Sequence, residues 1–161
     1  MIPIKLAATA LAVAAFFGPV AQAATADDDG VRHMSAAQIS AALSPMVDGV
    51  ATGPVPSGPG ATVLAAHRDR SGVVELHDKL ADILVDQEGN AQILVGGSVA
   101  GNHQTAPGEW RGGTITGGRR IAFHPGDVIW IPAGVPHQMM LETGTTITYL
   151  AFKFSPPSLS H

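Results

Sequence analysis

The stretch Pro125-Gly126-Asp127-Val128-Ile129-Trp130-Ile131-Pro132-Ala133-Gly134-Val135-Pro136-His137 decides how this chain folds. Pro125-Gly126-Asp127 is turn chemistry that launches a strand, and the β-branched and aromatic run Val128–Ile131 supplies it. Pro132-Ala133-Gly134 then breaks the strand, and His137 opens the next one beside the break. Alternation in that strand puts His137, Met139 and Leu141 on one face. A histidine on an otherwise apolar inner face needs partners for its ring nitrogens, so the segment predicts a polar site inside a β-structure.

Outward from this stretch, the chain divides into short runs rich in Val, Ile, Leu, Thr and aromatics, bounded by turn residues: 61–67, 73–77, 81–86, 91–95, 114–116, 119–124, 127–131, 137–141 and 145–154. Glu88-Gly89-Asn90 and Thr143-Gly144 have the composition of hairpin turns. Many short strands with one helix at the start imply hairpin connections and an all-β, antiparallel sandwich or barrel, and exclude a parallel βαβ architecture. Gly96 to Gly108 shows no pattern of its own and is expected to be a loop at the rim.

Upstream, Ser35 followed by Gln38 has the form of a capping box, and Ile39, Leu43 and Met46 carry helical spacing up to Asp48-Gly49. One short amphipathic helix is expected there, laid against the barrel. Pro54, Pro56 and Pro59 make residues 50–60 a linker in this reading. The polar stretch 24–32, with its acidic triplet Asp27-Asp28-Asp29, reads as a solvated leader. Before it, Lys5, the apolar run from Leu6 to Val20 and the small-x-small Ala21-Gln22-Ala23 form a secretory signal cleaved after Ala23, which implies a periplasmic or secreted protein. The organisation expected is therefore a signal peptide (1–23), a leader, helix and linker (24–60), a single barrel domain (61–154) and a tail (155–161).

Composition narrows the function classes. There is no cysteine, so disulfides, thiolate chemistry and Cys-type zinc sites are excluded. The net charge is −4 and the basic residues are scattered, which gives no electrostatic footprint for nucleic acid. Nothing beyond the signal approaches the roughly 20 apolar residues of a membrane span, so no stable membrane insertion is expected after cleavage.

The stretch 125–137 closely resembles the second motif of the cupin superfamily, a glycine, five residues, proline, one residue, glycine, two residues and histidine. Gly126, Pro132, Gly134 and His137 fit every spacing, while Leu141 stands where the family usually has asparagine. The first motif, His-x-His, then a glutamate and a glycine seven residues further, is matched in part. Gly89 fits the glycine, Asp82 falls on the glutamate, His77 on the second histidine and Glu75 on the first. The resemblance covers about Thr62 to Phe154. It implies a jelly-roll β-barrel, commonly a homodimer, often holding a transition metal, in a superfamily that includes many enzymes, sugar binders and storage proteins.

The residues give that implication physical content. Glu75 and His77 are two apart on an expected strand and leave the same face, and Asp82 begins the next strand. With His137 from across the barrel, two imidazoles and two carboxylates make an N/O donor set suited to Zn, Mn, Fe, Ni or Cu. The function expected is binding of a divalent transition metal by Glu75, His77, Asp82 and His137, acting on a small polar molecule. The alternative is a non-catalytic module that binds a small ligand without metal. Lys79 is a candidate to neutralise a carboxylate by an ion pair in place of the metal, set against its reading as a solvated strand-end residue. His124 reads as a rim residue, His103 as a loop residue and His67 as one without special context. Glu109 and Arg111 share a face and are expected to pair with each other or with a polar ligand, and the large aromatics read as core or interface.

Overall fold

A computed structural model describes residues 30–156. The signal, its cleavage site and the acidic triplet lie outside these residues. The helix α1 (Ala36–Ala42) begins at Ser35, whose hydroxyl accepts from Gln38 N while the Gln38 side chain accepts from Ser35 N, the expected capping box. It ends sooner than the apolar spacing suggests: Leu43 is its C-cap in extended conformation, and Met46 lies beyond it.

Thirteen strands follow among the described residues. β1 (Val50–Val55), β2 (Ala61–Arg68), β4 (Ala81–Gly89), β11 (Val128–Ile131) and β13 (Ile147–Phe154) form a five-stranded antiparallel sheet in the order β1-β2-β13-β4-β11. β3 (Glu75–His77), β5 (Ala91–Val95), β7 (His103–Ala106), β8 (Glu109–Arg111), β10 (Arg119–Phe123) and β12 (His137–Met140) form a second sheet in the order β10-β5-β12-β3-β8-β7. β6 (Ser98–Ala100) and β9 (Thr114–Thr116) make a separate ribbon. The core fills the space between the two large sheets, with Leu84, Ile129, Ile131, Ile147 and Tyr149 from one and Ile93, Val95, Phe123 and Met139 from the other.

Three expectations need correction. Residues 50–55, read as linker, are a strand in full register with β2. β1 is the edge of its sheet, where a proline that cannot donate is tolerated, and it carries the helix: a Cβ on Gly53 would lie 2.5 Å from the Ala42 carbonyl. Glu88-Gly89-Asn90 and Thr143-Gly144 are not hairpin turns, since β4 and β5, like β12 and β13, belong to opposite sheets. They are corners at which the chain crosses between sheets, as a jelly roll requires. At the first, Gly89 has φ +96° and a Cβ there would sit 2.1 Å from the Thr146 carbonyl oxygen, so only glycine fits. Residues 96–108 are likewise not one loop, because they hold β6, which pairs with β9, and β7, which pairs with β8.

The stretch that decided the fold behaves as its residues dictate. Asp127 N donates to the His124 carbonyl, closing a turn with Pro125 second and Gly126 third at φ +90°, the pattern of a type II turn. Val135 N closes a second such turn on Pro132, with Gly134 at φ +78°. Gly134 N then donates to the His77 carbonyl at 2.8 Å, which ties this turn to the strand bearing the other histidine.

Candidate metal centre

Cross-strand pairing assembles the site. Glu75 on β3 lies opposite both His137 on β12 and Arg111 on β8, and His77 lies opposite Glu109. On the facing sheet, Asp82 on β4 lies opposite Lys153 on β13. The four expected residues converge. His77, Asp82 and His137 are 2%, 2% and 6% exposed. Asp82 Oδ2 is 3.4 Å from His77 Nε2 and 3.3 Å from His137 Nε2, and Glu75 Oε2 is 3.7 Å from His77 Nε2. Glu75, His77 and His137 each offer one donor atom within 4.8 Å of the others.

Hydrogen bonding fixes how the rings are used. His77 Nδ1 is 2.7 Å from Glu109 Oε2 and His137 Nδ1 is 3.1 Å from the Val135 carbonyl. Both partners only accept, so both Nδ1 atoms donate and both rings turn Nε2 toward the centre. A carboxylate or carbonyl holding the outer nitrogen is also how metal-binding histidines are oriented. His137 consequently lies between the Val135 carbonyl and the Asp82 carboxylate, and a carboxylate buried as deeply as Asp82 requires a positive charge beside it.

Lys153 supplies that charge. Its Nζ donates to His77 Nε2 at 2.7 Å and to Asp82 Oδ2 and Oδ1 at 2.9 and 3.1 Å, and lies 3.9 Å from Glu75 Oε2. Burial pushes the Asp82 carboxyl up, but the imidazoles of His137 and His77 and the Lys153 ammonium outweigh it, and the group titrates far below the usual carboxylate range. At Glu75 burial likewise acts upward and is overcome by Lys153, Arg111, His137 and His77, for a net lowering. Arg111 Nη2 reaches Glu75 at 3.3 Å and Glu109 at 3.2 Å, and Arg68 approaches Glu75 at 3.8 Å while its Nε donates to Tyr149 Oη. Burial raises the Tyr149 phenol despite the charge of Arg68 and its hydrogen bond. These groups surround an interior cavity of about 200 Å³.

Lys153 is the residue that sequence reasoning missed. The lysine singled out there, Lys79, is exposed and lies outside the cluster. A usable sign existed: Ile147, Tyr149, Ala151 and Lys153 alternate along one strand, so the lysine continues an inward-facing row. Glu109 and Arg111 do pair with each other, and both reach into the site. His124 and His103 are exposed, His124 bonding Asn90, and His67 bonds Thr148 away from the cavity.

A model of the AraC-like ligand-binding domain matches residues 114–161. No curated protein matches the chain significantly. Among solved structures, a conserved protein with a double-stranded β-helix domain from Klebsiella pneumoniae superposes with a TM-score of 0.56 at 13% identity, over 80% of this chain and 93% of that one. KdgF from Halomonas sp. is similar over 73% of this chain and 90% of its own, at 15% identity and a TM-score of 0.49. Peruvianin-I, a cysteine peptidase from Thevetia peruviana latex, is similar over 66% of this chain at 16% identity and a TM-score of 0.45, and the chain spans 62% of its length. The two facing antiparallel sheets and the double-stranded β-helix of the Klebsiella protein agree, and the chain has the cupin-type double-stranded β-helix fold.

Proposed function

We propose that this cupin-fold protein binds a divalent transition metal through Glu75, His77 and His137, with Asp82 beside them, and uses it on a small polar molecule in the cavity. One observation carries the reading. Both Nε2 atoms converge on Asp82 Oδ2 while both Nδ1 atoms are held by acceptors, a donor set of imidazole nitrogen and carboxylate oxygen suited to Zn, Mn, Fe, Ni or Cu. Such an ion supplies a Lewis acid that polarises a carbonyl or hydroxyl. The chain's own residues do the rest: Glu109 and the Val135 carbonyl orient the rings, Arg68 and Arg111 fix the Glu75 carboxylate, and the apolar walls exclude water. The likeness of residues 114–161 to a ligand-binding domain supports a small-molecule ligand. The N-terminal sequence supports export, with a mature chain starting at Ala24, which intact mass of the secreted protein would test.

Metal analysis of the purified protein decides the reading. About one equivalent of transition metal is expected, lost in His137→Ala and removed by chelator with a fall in melting temperature. Absence of metal together with indifference to added Zn²⁺ or Mn²⁺ would overturn it. The 2.7 Å bond from Lys153 to His77 favours a second reading, in which the ammonium is the site's permanent cation and the protein binds a small polar ligand without metal. Stabilisation by ligand that chelator leaves untouched is its signature.

A further inference from the structure

We propose that the site takes up its metal ion together with a small carboxylate anion, and that Lys153 is the residue that couples the two events. The inference rests on the metal reading above. A transition metal bonds imidazole nitrogen and carboxylate oxygen at about 2.0–2.2 Å, so an ion held by His77 with Asp82 beside it would occupy the space that Nζ fills, 2.7 Å from the nitrogen and 2.9 Å from the oxygen. Two cations cannot share that space in a poorly solvated interior, and entry of the ion expels the ammonium.

The ammonium cannot go far. Lys153 is held in the β4–β13 ladder directly opposite Asp82. Its stem is flexible and its side chain 18% exposed, so it swings into the cavity that Arg68 and Arg111 also line. With the ammonium in place the charges balance: Arg68, Arg111 and Lys153 stand against Glu75, Asp82 and Glu109. A divalent ion adds two positive charges to a buried region, and among the described residues no further carboxylate lines the cavity. Uncompensated buried charge is strongly unfavourable. A carboxylate anion offsets one of the two added charges, and a neutral sugar or amide offsets none. The guanidinium forks match a carboxylate in shape as well as charge, and Arg68 donates a single hydrogen bond among those described, to Tyr149. The cavity of about 200 Å³ has room for a small carboxylate.

Calorimetric titration of Zn²⁺ into the full chain, at fixed ionic strength with acetate or its neutral isostere acetamide, tests the coupling. Acetate is expected to tighten zinc binding by about tenfold, within the usual span of coupling between linked sites, and acetamide by less than about twofold on the same scale. Lys153→Met should bind zinc more tightly than the native chain in buffer alone and gain less from acetate. Equal effects of acetate and acetamide on the native protein, or zinc binding in Lys153→Met no tighter than native, would overturn the proposal while leaving the metal site standing. Failure of both proteins to bind zinc would overturn the metal reading and this inference with it.

Discussion

Asp82 and Asp86 stand four residues apart on β4, turned into the same interior and buried to nearly the same degree, 2% and 1% exposed. Their surroundings have little else in common. Asp82 is met by two imidazoles and an ammonium and titrates far below the usual range. The Asp86 carboxyl accepts from Glu88 N at 3.0 Å through Oδ1, and its Oδ2 is buried with no partner among the described residues. Burial pushes its carboxyl up, and Asp127 pushes it further, against weaker opposition from backbone hydrogen bonds and His124. Burial alone therefore does not mark a functional acid. The mark is a complete set of charged and hydrogen-bonding neighbours delivered by several strands, and Asp82 has one where Asp86 has not.

The comparison breaks most visibly when Asp82 is removed. Asp82→Ala leaves the Lys153 ammonium facing the His77 imidazole and the more distant Glu75, and loss of one partner from a buried pair costs about 3 kcal/mol. Replacing both partners, Asp82→Leu with Lys153→Met, should recover most of that loss, because two apolar groups of similar size leave no charge unpaired. Urea unfolding reads both. A double variant as unstable as the single one would mean that packing, not charge, is what Asp82 contributes.

The second layer sharpens the contrast. Glu109 holds His77 Nδ1 at 2.7 Å, while near Asp86 the comparable contact, His124 to Asn90 at 2.8 Å, lies at the surface. Glu109→Gln weakens the hold on the His77 ring and should lower zinc affinity by about 10- to 100-fold, the usual effect of a lost outer partner. His124→Gln should leave zinc binding unchanged. The same titration calorimetry reads both, and equal effects would place the two histidines on one footing.

What could be read from the sequence follows the same division. Gly126, Pro132, Gly134 and His137 act through local turn geometry, and spacing alone located them. Glu75, His77 and Asp82 follow from the partial resemblance to the first cupin motif, counted back from Gly89, and the two-residue period adds only that Glu75 and His77 share a face. Lys153 lies 71 residues beyond Asp82, and the alternation of Ile147, Tyr149 and Ala151 before it marks only the end of an inward-facing row, not what it meets there. Only the register of β13 against β4 places it in the site. The corners at Gly89 and Gly144 read as hairpins in the sequence for a related reason: turn composition is the same whether the next strand returns to its own sheet or crosses to the other. The orphaned oxygen of Asp86 has no trace in the sequence either, since it depends on what fails to arrive from other strands.

The smallest effect tests the other half of the comparison. Asp86→Asn keeps the shape and the bond from Glu88 N but removes the charge that burial opposes. At neutral pH it should stabilise the protein by about 1 kcal/mol, the lower end of the cost of an unsatisfied buried group, or about 4 °C in melting temperature. The pH dependence gives the sign. The folded-state value of Asp86 lies above its unfolded value near about 3.9, so the folded chain holds this proton more firmly, and stability is lost as pH rises through the folded value. Asp82 and Glu75 do the opposite: their folded values are lowered, so their contribution is present above the unfolded value and is lost as pH falls through the folded one. The gain from Asp86→Asn should therefore vanish below the unfolded value, where the native side chain is protonated in both states, and grow as pH rises through the folded value. Unfolding curves collected from acid to neutral pH would show it, and a gain constant across that range would mean that the Asp86 carboxyl carries no penalty from its burial.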